Sequence, residues 1–266
     1  MKIILMHNNT PIQMMGIIIV TKNGRVIAID GGKCGDADEF KRLVTENGGE
    51  IDLWLITHPH RDHYETLIEL SQRKDSSIKV GKVCYNPTPA FFKTTEDAVA
   101  LSEVVPFDNL VANPFYNTIT VNKGDRFQVD NVTIDVLRVA NPETKSLNIN
   151  DLSVVYSITE KKDDGTEFRF IVLGDLHING GRELLEFYKD EPSVLKADAV
   201  QMAHHGQGGV ERSVYEAIDA KYTFWPTPDW LWTNTPGGWK PGTGPWQTLE
   251  VRKWVEDMNG EFITAM

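Results

Sequence analysis

The sequence predicts a layered α/β domain, with two β-sheets packed together and helices outside. Three observations carry that expectation. Short apolar runs of β character dominate both halves of the 266-residue chain, and helical patterns punctuate them. No low-complexity segment, solenoid-spaced repeat or long linker divides the sequence, so residues 1–266 read as a single domain. The residues able to carry chemistry fall just beyond apolar runs, where a rigid scaffold presents side chains.

Residues 16–21 and 25–30 are strands flanking Lys22, Asn23 and Gly24, whose Asn-Gly chemistry predicts a hairpin. Asp36 and Asp38 supply caps for a helix with Phe40, Leu43 and Val44 on its apolar face, stopping at Gly48 and Gly49. A strand over 51–56 runs into Thr57-His58-Pro59-His60-Arg61-Asp62-His63, then into a helix with Tyr64, Leu67, Ile68 and Ser71 on one face. From about 86 to 131 the pattern loosens to a capped helical stretch at 95–104 and short polar strands, which reads as an active-site flap or an insertion. Strands return over 132–139, 152–159 and 168–173, the last two joined by a turn at 162–165. Another follows over 197–203, then a helix around Val210, Val214, Ala217 and Ile218. The final helix places Val251, Trp254, Val255 and Met258 at i, i+3, i+4, i+7 spacing.

Composition narrows the function classes. With 41% hydrophobic and 24% charged residues, the chain reads as an ordinary soluble protein. No apolar stretch approaches the ~20 residues of a membrane span. The apolar start is too short for a signal peptide, so a cytoplasmic protein with no membrane partner is expected. Cys34 and Cys84 form no C-x-x-C pair, which argues against a disulfide framework or a zinc ribbon. A net charge of −11 disfavours long nucleic acid, whose grip needs a basic surface. A small phosphoester remains open, because metal ions supply a local positive field. The expected partner is therefore a small-molecule substrate, with the oligomeric state left open.

His58, His60, Asp62 and His63 fall within six residues. Imidazole and carboxylate together suit zinc, manganese or iron. Three more strand ends carry candidates: Asp30-Gly31-Gly32, Gly174-Asp175, and His204-His205-Gly206.

At these positions the sequence resembles the metallo-β-lactamase superfamily. The H-x-H-x-D-H signature is matched in full, and the order of the four elements agrees, from about residue 15 to 260. Within the superfamily the likeness is to the branch of competence-protein hydrolase domains and phosphorylcholine esterases. It is carried there by Asn148, Asn150 and Ser153 before a strand, then Gly174-Asp175, then His204-His205-Gly206.

The resemblance implies a four-layer αββα sandwich of two mixed sheets packed face to face. It also implies two divalent metal ions, zinc first, with manganese or iron as alternatives. His58 and His60 would bind the first metal, with one of the tandem histidines completing its ligands. Asp62 and His63 would bind the second, and Asp175 would bridge both. Asp30 would stand behind the ligands, accepting hydrogen bonds that fix the signature loop. His205 is the preferred tandem ligand, with His204 over the substrate as proton donor and Asp62 also orienting the nucleophile. In that branch a Gly-His-Pro element supplies a further ligand to the second metal. The matching stretch here, Gly242-Thr243-Gly244-Pro245-Trp246, has no histidine, so the second site is expected to be weak, to take more water, or to be filled by His177.

Residues 225–248 form a Pro-, Gly- and Trp-rich loop that either packs as a plug or lines a pocket. In the pocket reading, Trp230 and Trp232, with His177 nearby, hold an apolar or quaternary-ammonium group by cation–π contact. The expected activity is hydrolysis of a small phosphodiester or related ester by a metal-activated hydroxide. The alternatives are a carbonyl (lactam, lactone or thioester) hydrolase and a non-catalytic metal-binding or ligand-sensing protein.

Overall fold

Pairing sorts the strands into two sheets. The computed structural model describes residues 1–8, 10–73, 77–143, 145 and 148–265. One sheet runs β1 (Lys2–Leu5), β2 (Gly16–Val20), β3 (Val26–Asp30), β4 (Glu50–Leu55), β5 (Lys79–Tyr85) and β6 (Thr118–Thr120), side by side in chain order. The other holds β7 (Arg126–Val129), β8 (Val132–Arg138), β9 (Val155–Lys161), β10 (Glu167–Val172), β11 (Ala199–Gln201), β12 (Tyr222–Trp225) and β13 (Glu261–Thr264), again in sequential order. Both sheets are mixed. β1–β3 pair antiparallel and β3–β6 parallel. β7–β10 pair antiparallel and β10–β13 parallel.

Parallel neighbours need crossovers, and helices supply them. α1 (Ala37–Glu46), α2 (Arg61–Arg73) and α3 (Ala98–Val111) join the parallel strands of the first sheet. α4 (Ile178–Phe187), α5 (Arg212–Ile218), α6 (Asp229–Trp232) and α7 (Thr248–Asp257) do so for the second.

Three apolar clusters mark the interfaces between layers. Ile17, Ile29, Leu55, Ile134, Tyr156 and Phe170 fill the space between the sheets. Phe40, Trp54, Leu67 and Phe107 lie between the first sheet and its helices. Leu184, Val214, Trp225 and Val251 do the same for the second. Three interfaces make four layers, the expected αββα sandwich. The continuous apolar run of β2 follows from this: Ile17 and Ile19 face the other sheet while Ile18 faces the helices.

The structure departs from the sequence pattern in several places. β1, β5, α4, β12 and β13 lie outside that pattern. β5 carries Lys79, Gly81 and Lys82, and α4 opens with Gly180 and Gly181, which lower helix propensity. Residues 149–152 form a 3-10 turn, so β9 begins at Val155 rather than at 152. Residues 86–131 supply α3 together with β6 and β7, an edge strand of each sheet. Asp97 caps α3 by accepting from the Val99 and Ala100 amides, each at 2.9 Å. The helix continues through Pro106 to Val111, because buried Phe107 and Leu110 anchor its second half. Among the described residues, no helix is long and apolar enough to cross a membrane.

Candidate metal centre

Two pairs of parallel strands, β3–β4 in one sheet and β10–β11 in the other, aim their carboxyl ends at one place, where open α/β sheets put their ligands. Asp30 ends β3, and the segment from Thr57 to His63 runs from the turn after β4 into the first turn of α2. Asp175 follows β10, and His204 and His205 follow β11. All the expected ligands converge there, in two groups that share Asp175. One is Asp62, His63, Asp175 and His205; the other is His58, His60 and Asp175. Within each group the donor atoms lie within 4.8 Å of one another.

His205, and not His204, stands among these donors, but in a different group from the one expected. His205 Nε2 lies 3.2 Å from Asp62 Oδ2 and 3.3 Å from Asp175 Oδ2. It completes the Asp62–His63 half, not the His58–His60 half as expected. The half with fewer donors is therefore the one built on His58 and His60. Those two rings face each other, His58 Nε2 to His60 Nδ1 at 2.9 Å, and His58 Nε2 stands 3.9 Å from Asp175 Oδ2.

The inward atoms fit a cation. His63 Nε2, His205 Nε2 and Asp175 Oδ1 are buried without a hydrogen-bond partner. Buried polar atoms are ordinarily paired, so three orphans on one centre call for a ligand. The outward nitrogens are each engaged, which fixes ring orientation. His63 Nδ1 donates to Asp30 Oδ2 at 2.7 Å, and His205 Nδ1 donates to the Pro226 carbonyl at 2.9 Å. His58 Nδ1 lies 3.1 Å from Thr57 Oγ1. Asp30 has the buttressing position expected of it, wholly buried, and also accepts from the Thr57 amide (2.8 Å) and hydroxyl (2.7 Å). Thr57, which the ligand count alone does not reveal, thus bonds to Asp30 and lies against His58.

The backbone bends sharply to achieve this. Asp30, His204 and His205 have φ of 49°, 52° and 53°, a left-handed region costing about 1–3 kcal/mol for such residues. Glycines take the tightest points. A Cβ on Gly174 would lie 2.8 Å from Thr57 Cβ, and one on Gly206 would lie 2.4 Å from the Trp225 ring, both at positive φ.

Burial opposes charge on every group here. It holds the His58 imidazole well below its usual pKa and lowers His60 as well. For His63 and His205 burial is outweighed by the carboxylates, Asp175 foremost. His63 is pushed well above 6.5, and His205 up to about 10. Burial likewise pushes Asp62 and Asp175 up, but His63 and His205 overcome it and hold both below the usual carboxylate range. The carboxylates thus raise the proton affinity of His63 and His205, and a divalent cation taking their Nε2 atoms would compete with protons there.

The remaining expected residues surround this cluster. Burial pushes His204 down to about 4, so it is neutral at pH 7. Its Nε2 lies 3.5 Å from Asn150 Nδ2, and its ring centroid is 6.0 Å from that of His177. His177 stands at the amino end of α4 and belongs to neither donor group, so it does not fill the weak half. Trp230 donates from Nε1 to the Pro11 carbonyl and packs against Trp246. With His7, Met14, Thr227 and Pro228 it lines a cavity of about 310 Å³. Thr227 Oγ1 donates to the His205 carbonyl at 2.6 Å, so this cavity adjoins the four-donor half. Trp232 does not line it. Its ring packs edge-on against Trp225 and Phe262, with the Arg252 guanidinium 4.1 Å over its face. Trp225 is not in the loop at all but ends β12, fully buried.

No protein-family model matches the chain, and no curated protein matches it. Among solved structures it is similar to unliganded yeast PDE1, with TM-score 0.56 and 14% identity over 98% of this chain and 96% of that one. It is also similar to the metallo-beta-lactamase fold protein YhfI from Bacillus subtilis, with TM-score 0.54 and 11% identity over 97% and 91% of the two chains. The chain has the metallo-β-lactamase fold.

Proposed function

We propose that this chain is a metal-dependent hydrolase acting, as a single domain, on a small phosphodiester. The observation that carries the reading is one buried carboxylate, Asp175, shared by two converging groups of histidine and aspartate donors. In each group the residues would hold one divalent cation, zinc first. Such cations supply the Lewis acidity that makes a hydroxide nucleophile available near pH ~7.

The protein's own residues do the rest. Asp30 and the Pro226 carbonyl hold His63 and His205 with their Nε2 atoms aimed inward. Asp62, only partly covered, orients the nucleophile. His204, neutral and close to Asn150, donates a hydrogen bond to the departing oxygen. The Trp230 cavity takes the group that oxygen carries. The phosphodiester preference rests on the likeness of Asn148 to Ser153, Gly174-Asp175 and His204 to Gly206 to the esterase branch.

The test is metal content together with turnover of a chromogenic phosphodiester such as bis(p-nitrophenyl) phosphate. The reading expects bound divalent metal, turnover abolished by chelation and restored by zinc, and neither in Asp175→Asn. A metal-loaded chain that cleaves lactams, lactones or thioesters and spares phosphodiesters would make it a carbonyl hydrolase. A chain that takes up no metal and turns over nothing would make it a ligand-binding protein.

A further inference from the structure

We infer that Gln201 is a positioning residue for the metal centre: its side-chain amide sets the spacing between the strand end that carries Asp175 and the one that carries His205. The inference rests on the dinuclear reading above.

Gln201 is the last residue of β11 and is fully buried. It stands opposite Val172, the last residue of β10, and beyond that pair both chains leave the ladder. A glutamine amide has two acceptor lone pairs and two N–H donors, and here all four are used. Oε1 accepts from the Leu173 amide at 3.0 Å and from the Gly174 amide at 2.8 Å. Nε2 donates to the Gly174 carbonyl at 3.0 Å and to the Met202 carbonyl at 2.7 Å. Backbone N–H and C=O groups cannot exchange roles, so the orientation of the amide is fixed by its partners.

The side chain thus continues the β10–β11 ladder where the backbone no longer can. On one side it grips Leu173 and Gly174, directly before Asp175. On the other it grips Met202, and the Gly174 carbonyl also accepts from the His204 amide at 3.1 Å. The two ligands so joined meet at 3.3 Å, His205 Nε2 to Asp175 Oδ2. Gln201 touches none of the donor atoms, and its influence on them runs only through these two backbones. No residue type with fewer than two donors and two acceptors at the end of that stem reproduces the bracket.

Cobalt(II) titration, followed by the visible absorption of the bound ion, separates positioning from a merely structural role. Gln201→Glu keeps the shape and both acceptors but sets a carboxylate against two carbonyls. Gln201→Met keeps the volume and removes all four bonds. Val255→Ala, in the core under α7, is the control for general destabilisation. Both Gln201 variants are expected to lose cobalt affinity by about 10–100-fold, the range for groups that orient metal ligands. They should also alter the cobalt spectrum, whereas Val255→Ala lowers the metal-free melting temperature and leaves both unchanged. Folded Gln201 variants with affinity within about twofold of the parent and its spectrum would overturn the inference. So would unfolding of both, together with Gln201→Asn, since Gln201 would then serve folding alone. A parent chain that binds no cobalt sinks the dinuclear reading itself, an outcome distinct from either.

Discussion

The half of the centre formed by Asp62, His63, Asp175 and His205 gathers four donors; the half formed by His58, His60 and Asp175 gathers three. In the first, both imidazoles are fully buried, and their outward nitrogens are held by Asp30 and Pro226. In the second, His60 is partly exposed, and among the described residues its ring has only His58 as a hydrogen-bonding partner. On the proposed reading, that difference would divide the labour of one centre. Pre-oriented, buried donors favour tight cation binding, while a looser half with a free position leaves room for substrate. On the proposed dinuclear reading the four-donor half would be the anchor, and the His58–His60 half the working face.

Asp175→Ala strikes both halves and should have the largest effect. Removing one member of a buried charge cluster costs about 3–5 kcal/mol, which at ~1.4 kcal/mol per decade is about 10²–10⁴-fold in cation affinity. Calorimetric titration should show both binding events weakened, and survival of either at parental affinity contradicts a shared carboxylate. Next come paired substitutions that set one half against the other. His205→Ala should weaken the tighter event by about 10²-fold or more. His60→Ala should weaken the looser event and leave the tighter within about threefold. The reverse pattern breaks the comparison.

Asp30→Asn removes the acceptor behind His63 and so acts at one remove. A loss of about 10–100-fold at the tighter event is expected, with a smaller loss at the other. Affinity should also respond to pH. His205 is held up at about 10 in the metal-free chain because Asp175 and Asp62 outweigh its burial. A cation has to displace that proton, so apparent affinity rises with pH below that value, by up to about tenfold per unit for each proton displaced. Titrations in buffers of different ionisation enthalpy should show protons released on binding; a flat profile with none released would count against the electrostatic account.

The smallest expected contrast lies in the tryptophans. Trp232→Ala should cost about 1–3 kcal/mol of stability, since the ring packs on Trp225 and Phe262, and leave KM unchanged. Trp230→Ala should raise KM with little change in melting temperature. Equal effects of both on KM would return Trp232 to the pocket.

Much of this centre was legible in the sequence because its ligands end strands or follow them at once. Asp30, His58 to His63, Asp175 and the tandem histidines each stand where an apolar run stops, and the structure brings those stops together. Which half His205 completes was not legible. Sequence order ranks the donors along the chain, whereas the grouping depends on how β10 and β11 pair and on left-handed turns at His204 and His205. Which tryptophans pack and which line a cavity was not legible, for a related reason. Trp225 and Trp232 sit among prolines and polar residues in sequence, yet both pack on Phe262 of β13, a four-residue strand too short to announce itself. β12 and β13 are both four-residue strands at or next to the edge of their sheet, too short for their pattern to stand out.

The unequal halves are tested most directly by counting metal-binding events in the parent chain, His205→Ala and His60→Ala under one set of conditions. The parent should show two events of different affinity, His205→Ala should lose the tighter, and His60→Ala should keep it. A parent with two equal events, or a His205→Ala chain that retains the tighter one, would contradict the division between anchor and working face.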